Sequence, residues 1–175
     1  MNKGLASGLV LLTLGLGCGL LLAGVNAFTA PTILANENQV KYDAISEFYD
    51  LANYTILEES VDGGLVDTLF YLSDTGGTLQ AIVYSVKQYG YQSNVKMLIA
   101  ISSDLSVDGY KVVEQAETAG LGSLSVTYDF NMDGVIIPDL SAFDSISGAT
   151  ITSNAVKACF SAVFERAASD FGGGM

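Results

Sequence analysis

VDTLFYLSDTGGTLQAIVYSVKQ, residues 66–88, sets two runs rich in Val, Ile, Thr, Tyr and Phe on either side of Asp74-Thr75-Gly76-Gly77. Branched and aromatic side chains pack well on a pleated surface and so favour extended backbone. An Asp followed by glycines supplies the turn between them. The stretch predicts a β-hairpin with strands over 66–72 and 78–88. Toward the C-terminus, 95–102 and 109–115 show the same enrichment, and 124–130 and 135–137 are expected as later strands. A closing helix is expected over 152–171, with Ala155, Ala158, Cys159, Ala162, Val163 and Phe164 as its buried stripe. Strands grouped in the middle with helices at both ends predict an α+β head of mixed helix and sheet.

Working upstream, Val40, Ala44, Ile45, Phe48, Leu51, Ala52 and Ile56 recur near helical spacing, with Asn36 or Asn38 as a candidate cap. Asp62-Gly63-Gly64 breaks that pattern, so 31–60 reads as an amphipathic helical connector and 61–175 as the head. Residues 4–36 carry no charge. About 20 apolar residues at about 1.5 Å rise cross a hydrocarbon core of about 30 Å, which makes 1–30 a transmembrane anchor and the lipid bilayer a partner. Val25-Asn26-Ala27 is a passable signal-peptidase exit, but the apolar run before it already exceeds a signal peptide's core, so the anchor is read as retained. Gly17-Cys18 resembles the end of a lipobox. Gly15 stands where Leu is wanted, however, and the run continues through Leu20, Leu21 and Leu22, so Cys18 reads as a helix residue in lipid. Lys3 and the terminal amine precede the span and Glu37 is the first charge after it. Positive residues stay inside, which puts the N-terminus in the cytoplasm and the head outside.

With 19 Asp and Glu against 7 Lys and Arg, the net charge of −12 excludes a nucleic-acid partner, which needs a basic face, and opposes docking on anionic lipid. Two cysteines cannot build a disulfide framework. The absence of histidine removes the commonest metal ligand and the commonest general base; neither a metal site nor a catalytic residue is expected. Asp129-x-Asn131-x-Asp133-Gly134 opens like a calcium loop, yet Leu140 holds the twelfth position and Pro138 lies inside, so it reads as a turn between two strands. Gly120-x-Gly122-x-x-Ser125 is only a partial dinucleotide fingerprint.

The chemistry-bearing segment is Asp144-Ser-Ile-Ser147-Gly148-Ala149-Thr150-Ile-Thr152-Ser153, a small, hydroxyl-rich loop opening onto a helix. Helix starts present free N–H groups and partial positive charge, so they hold phosphate well. Gly148 and Ala149 let a bulky anion approach, and Thr150, Thr152 and Ser153 are candidates to donate to it or carry it. From the residues alone an ordinary cap by Thr152 or Ser153 is at least as good an account.

Asp144-x-x-Ser147-Gly148-Ala149-Thr150 resembles the flavinylation motif of the FMN-binding domain family found in RnfG and NqrC, subunits of ion-translocating respiratory complexes. The resemblance implies covalent FMN, joined through its phosphate to Thr150 by a flavin transferase, with Asp144 recognised by that transferase and Ser147, Gly148, Ala149 and Thr152 around the cofactor. Glu117-Thr118-Ala119-Gly120-Leu121-Gly122 resembles a second loop of the family, which implies that Glu117, Thr118, Gly120, Leu121 and Gly122 also belong to the FMN site. Here Ala119 replaces the usual proline, and Gln115 stands where histidine is common. Gly90-Tyr91 only weakly resembles a third stretch, and no site role is assigned to it. The likeness implies an RnfG-like electron-transfer subunit of a membrane ferredoxin:NAD⁺ oxidoreductase, with the other subunits of an Rnf-type complex as partners. An NqrC-like subunit of a sodium-translocating quinone oxidoreductase and a free-standing surface flavoprotein are the alternatives.

Overall fold

The computed structural model describes residues 3–172, in two compact units, Met1–Val40 and Lys41–Met175. The first unit belongs to helix α1 (Lys3–Phe48), which holds Pro31 in its interior. Its large side chains stand free, among them Leu11 at 70%, Leu21 and Leu22 at 72% and Phe28 at 84% exposure. The hydroxyls of Thr13 and Thr29 donate back to carbonyls one turn earlier (Thr13 to Leu9 and Val10, Thr29 to Val25), which keeps both hydroxyl protons within the helix. A helix apolar all round, with such hydroxyls satisfied internally, suits a hydrocarbon solvent. Among the described residues it is the one helix long and apolar enough to cross a membrane.

The second unit is built on a five-stranded antiparallel meander in the order β1 (Thr55–Ser60), β2 (Val66–Ser73), β3 (Leu79–Tyr89), β4 (Asn94–Ser102) and β5 (Val107–Glu114). At the β2–β3 turn the Asp74 carboxylate accepts from the amides of Gly76 (2.8 Å) and Thr78 (2.9 Å), and Gly77 sits at φ +83°, where a glycine is favoured. The closing helix α2 (Thr150–Gly172) covers one face, packing Val156, Cys159, Phe160, Val163 and Phe164 over Leu69, Ile82, Tyr84, Met97 and Ile99. Residues 41–48 cover the other face, with Ala44, Ile45 and Phe48 over Phe70, Leu72, Val83, Leu98 and Ala100. Cover on both sides explains why 81–86 and 97–101 are buried without interruption although the sheet is antiparallel. Two features fix this second cover. Tyr49 donates to Asp108 at 2.6 Å. Gly109 also leaves room on β5 for the Phe48 ring, which a Cβ there would meet at 2.7 Å.

Several expectations fail for identifiable reasons. The connector is not helical throughout: α1 ends at Phe48, and Thr55–Ser60 form β1, paired with β2. Asn36 and Asn38 lie inside α1 and cap nothing. On α2 the buried stripe runs through Val156 and Phe160, while Ala158 and Ala162 are half-buried at its border. Strands at 124–130 and 135–137 do not form. Gly122–Val126 is a 3-10 helix, and Ile136 contributes only an isolated bridge to Ser106. The Asp129 carboxylate accepts from the Asn131 amide at 2.8 Å, and Asn131 (φ +58°) and Gly134 (φ +74°) turn the chain where a strand would need extended backbone.

Candidate functional site

Three loops meet at one end of the sheet. The β3–β4 turn brings Tyr91, the segment after β5 brings Glu117, Thr118, Leu121 and Gly122, and the start of α2 brings Gly148 to Thr152. Between them lies a cavity of about 440 Å³, within the range of about 300–1,000 Å³ typical of small-molecule sites.

Glu117, 8% exposed, ties the three walls together. Its Oε1 accepts from the amides of Gln92 and Ser93, both at 2.9 Å. Its Oε2 accepts from the Tyr91 amide at 3.0 Å and from the Thr152 hydroxyl at 2.6 Å. Burial pushes the carboxyl pKa upward, but the hydrogen bonds from Thr152 and from the amides of Gln92, Ser93 and Tyr91 outweigh it and hold it at about 2. Gln115 braces the knot from behind, its side-chain oxygen accepting from the Glu117 amide at 2.6 Å. Close approach also requires glycine at Gly122, where a Cβ would sit 2.7 Å from Thr152 Oγ1 and 2.8 Å from Glu117 Cβ. Gly122→Ala is therefore expected to cost about 1–3 kcal/mol, the usual penalty for overpacking. Thermal unfolding measures it, and an unchanged Tm would show that the knot yields freely.

The hydroxyls divide into committed and free. Thr152 spends its proton on Glu117, and Ser153, which accepts from the Ile146 amide at 3.0 Å, is fully buried and does not line the cavity. Both are buried, whereas Thr150, the first residue of α2, is exposed and its hydroxyl makes no hydrogen bond among the described residues. Amides in the first turn of a helix lack an intrahelical acceptor, so the free hydroxyl stands beside free N–H groups. Gly148, at φ +82°, passes within 3.4 Å of Leu121 at its would-be Cβ and joins the two glycine loops. Asp144 steadies the approach, accepting from the Tyr128 hydroxyl and the Ser145 amide, both at 2.8 Å.

Of the residues singled out from the sequence, Glu117, Thr118, Leu121, Gly122, Gly148, Ala149, Thr150 and Thr152 line the cavity together. Gly120, Ser147 and Asp144 shape the adjoining loops without lining it. Tyr91 and Ile151 line it and were not assigned. The weak Gly90-Tyr91 likeness was the available signal for the first of these.

Residues 90–165, which supply all three walls, match the family model of the FMN-binding domain. The chain is 34% identical over 129 residues to the G subunit of the ion-translocating oxidoreductase complex of Methanosarcina acetivorans, covering 69% of each. The chain belongs to this family of G subunits. The corresponding G subunit of Cereibacter sphaeroides is 28% identical over 175 residues, covering 87% of this chain and 78% of that protein. The crystal structure of Shewanella oneidensis NqrC is similar over 55% of this chain and 54% of that one, with TM-score 0.47 and 23% identity. The family model thus falls on the cavity, and the two G subunits extend the likeness well beyond it.

Proposed function

We propose that this chain is the electron-transfer subunit of a membrane ion-translocating ferredoxin:NAD⁺ oxidoreductase and carries FMN as a phosphoester on Thr150. The carrying observation is the exposed, unbonded Thr150 hydroxyl at the start of α2, opening into a cavity of suitable size inside the matched FMN-binding region. When bound, FMN supplies reversible uptake of electrons, chemistry that side chains lack. In maturation the Thr150 Oγ–P bond to the FMN phosphorus of FAD would form as the pyrophosphate P–O bond to AMP breaks, AMP leaving and the hydroxyl proton passing to solvent; a flavin transferase, recognising Asp144, would bring the two together. The first-turn amides of α2 and the small residues Gly148 and Ala149 receive the phosphate. Thr118, Leu121 and Gly122, with Tyr91 opposite, bound the space for the ring, while Glu117 holds these walls in place. Expressed with a flavin transferase and denatured on a gel, the chain is expected to fluoresce under ultraviolet light. A dark band would overturn covalent attachment.

α1 anchors the head, with the N-terminus inside and residues after about Ala30 outside. Protease added to intact cells or spheroplasts is then expected to degrade the head. Degradation only after the membrane is broken would reverse the orientation.

A further inference from the structure

The cavity opens on a face unlike the rest of the head. Residues 88–95, 118–127 and 145–156, which with Glu117 supply its walls, contain no Lys, Arg, Asp or Glu in a chain of net charge −12. Six large apolar side chains stand out from these segments: Tyr89 (62% exposed), Tyr91 (63%), Leu121 (44%), Leu124 (44%), Val126 (46%) and Ile151 (54%). Leu124 and Val126 do not line the cavity, so a molecule held inside it does not account for their exposure. Exposed apolar clusters rimmed by polar residues mark interaction sites.

The border is predominantly acidic, with Lys111 beside Val126, Asp129 and Asp133 and Lys157 over the Phe143 ring as the cations next to it. Residues 129–144 run from just beyond the 3-10 helix back to the Thr150 loop and carry four aspartates, Asp129, Asp133, Asp139 and Asp144, with no Lys or Arg. The Tyr128–Asp144 hydrogen bond ties this loop to the face. Four cations of the head are in ion pairs, Lys87 with Asp67, Lys96 with Glu114, Arg166 with Asp170 and, beside this border, Lys111 with Glu47.

We propose that this face docks a protein partner whose contact surface is apolar at its centre and lined with Lys and Arg where it meets residues 129–144. An apolar centre with a polar rim is the ordinary anatomy of a protein interface, and the aspartates supply orientation and encounter rate through charge complementarity. The same charges repel an anionic lipid surface, and a second copy would bring only the same acidic border. Identifying the partner as a neighbouring redox subunit rests on the function proposed above; the docking itself does not.

The test places Leu124→Glu with Val126→Glu in the full-length chain, expressed in its host in place of wild type. Solubilised membranes are separated by size exclusion, and each fraction is probed for the chain and for its flavin fluorescence. The double variant is expected to keep its flavin but to fall at least about tenfold in the complex fraction, the loss typical of a hot-spot truncation. Asp129→Asn with Asp133→Asn and Asp139→Asn is expected to flatten the salt dependence of co-elution. Co-elution of the double variant at wild-type level overturns the proposal. So does loss of flavin with the complex intact, which would assign the face to the transferase, and so does wild type eluting as a dimer of itself. A wild-type chain that co-elutes without flavin refutes the attachment to Thr150 and leaves the elution result to decide the docking.

Discussion

Thr150→Val is expected to remove flavin fluorescence from the denatured chain completely while leaving the fold unchanged. Valine has nearly the shape of threonine but no oxygen, so the bond to phosphorus cannot form. The stability cost is small because the lost hydroxyl has no hydrogen-bond partner and is exposed; surface changes of this kind stay within about 0.5 kcal/mol. Thr150→Ser keeps an oxygen and is expected to retain partial labelling. Thr152→Val gives the contrasting result: it loses the donor to Glu117 and weakens folding, yet keeps the attachment oxygen. In-gel fluorescence and circular dichroism on the three variants separate these outcomes. Flavin persisting on Thr150→Val, or lost only from Thr152→Val, would move the attachment away from Thr150.

The hairpin at 66–88 was legible because its information is local: Asp74 and the glycines after it set the turn, and their partners lie within four residues. β1 was not, since an exposed edge strand of sequence TILEES buries nothing that would show as alternation. It is defined by pairing with β2, a feature absent from its own composition. The strands expected after β5 failed for the converse reason: Leu124, Val126 and Ile136 have strand-forming neighbours but point outward, the first two on a 3-10 helix and the third at an isolated bridge. At the site, the Thr150 motif could be found by its likeness to a family, but the division of labour among Thr150, Thr152 and Ser153 could not. It depends on Glu117, 35 residues before Thr152. Tyr91 is likewise held in the cavity wall by a carboxylate 26 residues away.

Glu117→Ala is expected to be the most damaging single change to the head outside the sheet. Four close donors and the more distant Ser93 hydroxyl, at 3.4 Å, lose one acceptor group at once. Hydrogen bonds to a charged group are worth about 1.5–3 kcal/mol each; water can reach the exposed turn at Tyr91 and Gln92, so a net loss of about 3 kcal/mol is the reasonable scale. The charge also gives this knot a pH signature. The folded pKa of about 2 lies below the ordinary value of 4.5, so the stabilisation is complete above pH 4.5 and disappears as the pH falls toward 2. The alanine variant lacks that slope and should approach the wild type as acid is added. The chain has no tryptophan, so urea unfolding of the detergent-solubilised protein is followed by tyrosine fluorescence and circular dichroism at steps from pH 6 to about pH 2, the range set by the linkage above. Parallel curves for wild type and variant would remove the charged knot from the account. Converging curves would tie the stability of the cavity walls, and with them the position of the Thr150 loop, to one ionised carboxylate.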